Sequence, residues 1–185
     1  MRLIDTLEAL LEALDGGALV DATVRGVALQ GRAFAEVNLA AVTFEGCSFT
    51  EVAWVRCAWT VVAFRGCSLD GVLLAETSAS DVAFLPDDAG APCALSRLVL
   101  GAAVCKRWVI EGCTLTQALF GASQLGAWSV DDCTFVDAVW RDCVLSDATI
   151  TRCALPASRW EGVRLSGTLR DCDLQGLDAR GCDFQ

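Results

Sequence analysis

The stretch DDCTFVDAVWRDCVLSDATITRCAL, residues 131–155, places cysteines at Cys133, Cys143 and Cys153, ten residues apart and ten again. Between them, every fifth residue is large and apolar: Phe135, Trp140, Leu145, Ile150 and Leu155. The same beat runs back from Leu29 through Phe34, Leu39, Phe44, Phe49, Trp54, Trp59 and Phe64 to Phe84. It restarts at Leu95, and after a one-residue deletion past Leu165 it resumes at Leu169, Leu174, Ala179 and Phe184. Two residues before each large position lies a smaller one, and ten of the eleven cysteines occupy that second column, Cys105 being the exception.

A period of five matches neither the 3.6 of a helix nor the simple alternation of a long strand. It matches a three-residue strand followed by a two-residue corner, because residues two apart on a strand share a face. Both columns then point inward, the residue between them points out, and the remaining two positions, often Gly, Asp, Glu, Ser or Arg, turn the chain. Cysteines twenty residues apart predict four such steps per circuit. Removing DDAGAP, Asp87 to Pro92, brings Cys93 into register and aligns Cys47, Cys67, Cys93, Cys113, Cys133, Cys153 and Cys172 on one side of a four-sided coil.

The cysteines therefore read as small apolar core residues. No CxxC pair and no histidine exist to build a zinc site, and a reducing compartment keeps thiols free. Trp108 and Trp128 fall in the small column one coil apart, so the coil has to widen there, with the two rings stacked inside or presented to a partner.

Composition narrows function. The formal net charge of −10 argues against direct nucleic-acid binding, since phosphates must be met by positive charge. There is no histidine or tyrosine and a single lysine, Lys106, which removes the commonest general base and most Schiff-base chemistry. No catalytic, cofactor or metal residue is assigned, and the chain reads as a non-enzyme. No apolar run reaches the roughly 18 residues of a membrane helix, and the acids of MRLIDTLEALLEALDGG (1–17) do not suit a signal peptide. A cytoplasmic protein with no membrane contact is expected. Arg far outnumbers Lys, as in GC-rich bacterial genomes.

The pattern closely resembles the pentapeptide-repeat proteins, through CDLQG (172–176), CSLDG (67–71) and CTFVD (133–137), and the resemblance covers about residues 22 to 185. It implies an all-β fold, a right-handed quadrilateral parallel β-helix. About eight coils at about 4.8 Å each make a rod roughly 38 Å long. The Asn or Asp that the family carries before its central residue is mostly Val, Ala, Ser or Thr here, with Asn38, Asp173, Asp178 and Asp183 as exceptions. Residues 1–17 are expected to form a capping helix, from the spacing of Leu3, Ile4, Leu7, Leu10, Leu11 and Leu14 ahead of Gly16 and Gly17. Residues 18–185 are expected to form the solenoid, with a loop insertion at about 87–92.

The best-characterised members protect DNA gyrase and topoisomerase IV from quinolones or peptide toxins, as acidic dimeric rods that imitate duplex DNA. The resemblance thus implies an antibiotic-resistance role through a protein partner. Asp87, Asp88, Gly90 and Pro92 in the projecting loop are the candidate contact. A homodimer is expected through the C-terminal coil, at Leu174 and Phe184. The alternative is a structural or secretion-associated scaffold whose partner has nothing to do with DNA. Three corner columns are expected to pair charges between coils: Glu36–Arg56–Glu76, Asp132–Arg152–Asp171 and Arg141–Glu161–Arg180.

Overall fold

In a computed structural model that describes residues 2–185, short parallel strands wind into a four-sided solenoid. The sides are seen clearly in one circuit. Ala58–Thr60 lies on the first side, Val62–Arg65 on the second, Ser68–Asp70 on the third and Leu73–Ala75 on the fourth. Strands pair in register with those one circuit away, as in Trp54 with Leu74 and Phe44 with Phe64, twenty residues apart. The first and second sides are joined around one corner by continuous eight-residue strands at Ala18–Arg25, Asn38–Glu45, Ala58–Arg65, Ser78–Leu85 and Val144–Thr151.

The solenoid has about nine turns, one more than eight, because the N-terminal residues start a rung of their own. Arg2–Ile4 is a strand paired with Ala22, Thr23 and Val24, not the first turn of a helix. Ile4 stands above Val24 in the large inward column and is buried. The helix is Leu7–Asp15, opened by Thr6, whose hydroxyl accepts from the Ala9 N–H at 3.3 Å, and ended at Gly16. It buries Leu10 and Leu14 over the first circuit. Leucine spacing alone cannot separate the strand from the helix, because Leu3 and Ile4 satisfy both periods; the strand wins because Val24 offers a partner edge.

Both inward columns fill the interior. Ring stacks follow from the strand spacing of about 4.8 Å: Phe44, Phe64 and Phe84 follow one another at 5.0 Å, their planes nearly parallel at 13° and 9°. Trp108 and Trp128 stack at 5.2 Å and 4° and are fully buried, as a locally widened core requires, and are not presented to a partner. They fit because the large column is small beside them. Ala79 and Cys105 pair on the neighbouring side, and Ala79 O accepts from the Trp108 indole at 3.2 Å. Volume is exchanged between columns, not added.

Corners carry a backbone cost. The second corner residue sits at positive φ in nearly every step, and many are not glycine, including Glu36 (61°), Val61 (56°), Arg107 (52°) and Asp132 (53°). That left-handed region is disfavoured for side-chain-bearing residues. The insertion is explained by the same requirement. The corner after Leu85 would fall on Pro86, whose ring fixes φ near −65°, so the chain leaves the coil and rejoins it at Cys93. Ser68 then pairs with Ala94, a step of 26 residues.

Candidate functional site

Three places could carry function: the thiol ladder, the projecting loop and the C-terminal coil. The ladder comes first because it takes the most residues.

Cys47, Cys67, Cys93, Cys113, Cys133, Cys153 and Cys172 stack at the entrance to the third side, all as free thiols. Each is more than a small apolar filler. Its Sγ donates to the carbonyl of the large second-side residue one circuit back: Cys47 to Val24 (3.4 Å), Cys67 to Phe44 (3.3 Å), Cys93 to Phe64 (3.4 Å), Cys133 to Ile110 (3.5 Å). Thr77, Ser123 and Ser158 do the same from the small column of other sides, to Trp54, Leu100 and Phe135. Those hydroxyls were the signal in the sequence that the column needs a donor. At Cys67, Cys113 and Cys153 hydrogen-bonding contact with thiols of adjacent rungs, reinforced by burial, pushes the pKa up, while the same kind of contact holds Cys47, Cys93 and Cys133 below the ordinary thiol value. Cys105, in the large column, is pushed up to about 12 by burial. Among the described residues no group of His, Cys, Asp or Glu is arranged to hold a metal.

The loop folds back on the corner between the second and third sides. The Asp87 carboxylate accepts from Ala89 N (2.9 Å) and Ala91 N (2.7 Å), and Asp87 O accepts from Gly90 N (2.9 Å). Asp87 thus holds the loop's own backbone, while Asp88, Gly90 and Pro92 are exposed. A groove of about 410 Å³ runs beneath, lined by Arg25, Glu45, Arg65, Asp87, Asp88 and the corner glycines Gly26 and Gly46. The Gly66 corner lies so close to the Asp87 side chain that a Cβ there would come within 2.8 Å of it.

Charges are interleaved along the rod. Arg25 meets Glu45 at 2.7 Å, Arg56 meets Glu36 at 3.3 Å, Arg97 meets Asp70 at 2.6 Å, Arg107 meets Asp81 at 2.5 Å and Arg141 meets Glu161 at 2.9 Å. Two expected columns are corrected. Arg152 pairs with Asp131, not Asp132 or Asp171, and Arg180 pairs with Asp178 at 2.9 Å, not Glu161. The guanidinium of Arg97 holds the Asp70 carboxyl below the usual range, as Arg107 does for Asp81.

At the far end, Phe184 is 53% exposed and Leu174 39%. They border a concavity of about 380 Å³ with Leu165, Gly167, Leu169 and Gln185. Leu174 and Phe184 share this end; the loop residues lie elsewhere on the rod, at the corner between the second and third sides.

No protein-family model matches the chain, and no curated protein matches its sequence. Solved structures do resemble it. QnrB1, a plasmid-mediated fluoroquinolone resistance protein, is similar over 100% of this chain and 92% of its own, at 17% identity and a TM-score of 0.53. HetL, a pentapeptide repeat protein involved in heterocyst differentiation regulation from the cyanobacterium Nostoc sp., is similar over 96% and 94% at 12% identity and a TM-score of 0.33. With five-residue steps, four sides and inward columns filled rung by rung, the chain has the pentapeptide-repeat fold.

Proposed function

We propose that the chain is a non-enzymatic protein-interaction rod of the cytoplasm, working as a scaffold whose partner is met on its outer surface. The observation that carries this is the interior. Every circuit before the last is closed over packed side chains from Ile4 to Leu165, so a partner has only faces, corners, loop and ends to touch. Eleven unpaired thiols suit a reducing compartment. A second copy joined end to end at Leu174 and Phe184 is the oligomer that the exposed last coil favours. Sedimentation equilibrium tests it: a Phe184→Asp chain should lose the end-on pair while keeping its circular dichroism.

The second reading has the rod imitate duplex DNA toward DNA gyrase or topoisomerase IV, and the net charge of −10 favours it. Such mimicry needs a continuous acidic strip, and the Arg–carboxylate pairs above interrupt the charged columns. The scaffold reading is therefore preferred. Titrating the pure chain into gyrase supercoiling assays, with and without a quinolone, separates the two. The scaffold predicts no change in either; relief of quinolone inhibition would install the mimic in its place.

A further inference from the structure

The fourth side differs from the other three. Across its first five rungs, from Ala33 to Gly121, its outward residues are only Ala, Val, Leu and Gly, without a charge, hydroxyl or amide. The third side, by contrast, turns out Ser48, Thr50, Ser68, Thr114, Thr116 and Thr134. Contiguous apolar surface of this kind marks an interaction site.

Its relief specifies the occupant. Each strand shows two outward residues, and from the third rung on, the first is large and the second small: Leu73 with Ala75, Val99 with Gly101, Leu119 with Gly121. A ridge therefore runs along the rod beside a trench. On the second rung the order inverts, Ala53 with Val55. We propose that a second copy of this chain docks on the fourth side, about a two-fold axis parallel to the rod, with each ridge in the other's trench. That axis reverses strand direction within every rung, so Leu73 faces the mate's Ala75, Leu119 faces its Gly121, and the inverted Ala53 faces its Val55. A two-fold axis across the rod would instead set ridge on ridge and leave trench over trench empty.

The rims agree at one end. Arg32 and Glu51 have no ion-pair partner within the chain among the described residues, and the same axis brings them to the mate's Glu36 and Arg56. Asp137 and Asp142 meet as like charges at the other end, which sets the limit of the dock. The contact spans five rungs, about 24 Å by about 13 Å or roughly 300 Å² a side, below the usual size of a specific interface, so its affinity belongs in the high micromolar range.

This contact is independent of the end-on pair and is tested with that pair removed. In the full-length Phe184→Asp chain, sedimentation equilibrium to about 500 µM should show a reversible dimer. Leu119→Glu should weaken it at least about tenfold. Gly101→Leu with Gly121→Leu adds apolar surface where neither Cβ meets any atom within 3.4 Å of its own chain, and neither glycine has positive φ. Simple stickiness would then tighten the dimer; filling the trench should weaken it at least about tenfold. A Phe184→Asp chain that stays monomeric throughout overturns the proposal. So does a dimer that the double leucine variant leaves equal or tighter.

Discussion

At the scale of single residues, backbone geometry decides more than side-chain chemistry. The one-residue deletion after Leu165 is absorbed at Gly167, where register shifts from Leu145–Leu165 to Ala148–Gly167. A Cβ at Gly167 would lie on the Ala148 carbonyl oxygen, far inside contact distance. Gly167→Ala should therefore cost about 3 kcal/mol or more, read as a lower urea midpoint, and an unchanged midpoint would refute the tight approach. The opposite sign is expected at Val61, a β-branched residue at φ 56° that is 55% exposed. Val61→Gly removes strain at little loss of burial and should raise stability by about 0.5–1 kcal/mol. The sequence shows Val61 to be at a corner, but only the coil's closure reveals that every corner wants a left-handed residue.

At the scale of elements, the loop is an interruption forced by one proline. Excising Asp87–Pro92 shortens the 26-residue step to twenty and joins Pro86 to Cys93. Pro86 would then occupy a corner it cannot adopt, so this deletion should fold poorly or not at all. The same excision with Pro86→Gly should fold, with a thermal midpoint within several degrees of the parent, because the register it restores is the one used elsewhere. Equal behaviour of the two deletions in thermal circular dichroism would rule out the corner explanation. Both the insertion and its six-residue length were legible in the broken beat of the cysteine column. What was not legible is that Asp87 spends its carboxylate on the loop's own N–H groups, since that depends on how the loop folds.

At the scale of the whole molecule, titration should erode stability at both pH extremes. With no histidine, no side chain has an ordinary pKa between about 5.5 and 7.5. A thiol raised to about 12 when folded, against about 8.5 unfolded, lends stability that is complete below the unfolded value and is lost as pH climbs toward the folded one. Cys105 alone would forfeit up to about 4–5 kcal/mol between about pH 8.5 and 12. Urea midpoints should fall steadily above pH 8.5, and by less in a Cys105→Val chain. A flat alkaline limb would mean the thiols are not held in the interior. In the acid direction, Asp70 and Asp81 have lowered folded pKa values, so what they lend is present above about pH 3.9 and fades as pH drops below it.

The linear sequence determined the step, the number of sides, the cysteine alignment across the insertion and the position of the deletion. All of these follow from side-chain period, and a period is a one-dimensional quantity. Tertiary structure alone decided that Arg2–Ile4 is a strand, that Trp108 and Trp128 are inside, which carboxylate each arginine takes and that the thiols donate hydrogen bonds. Each of these depends on which atoms lie one circuit away and at what distance, and the coil fixes that only when it closes.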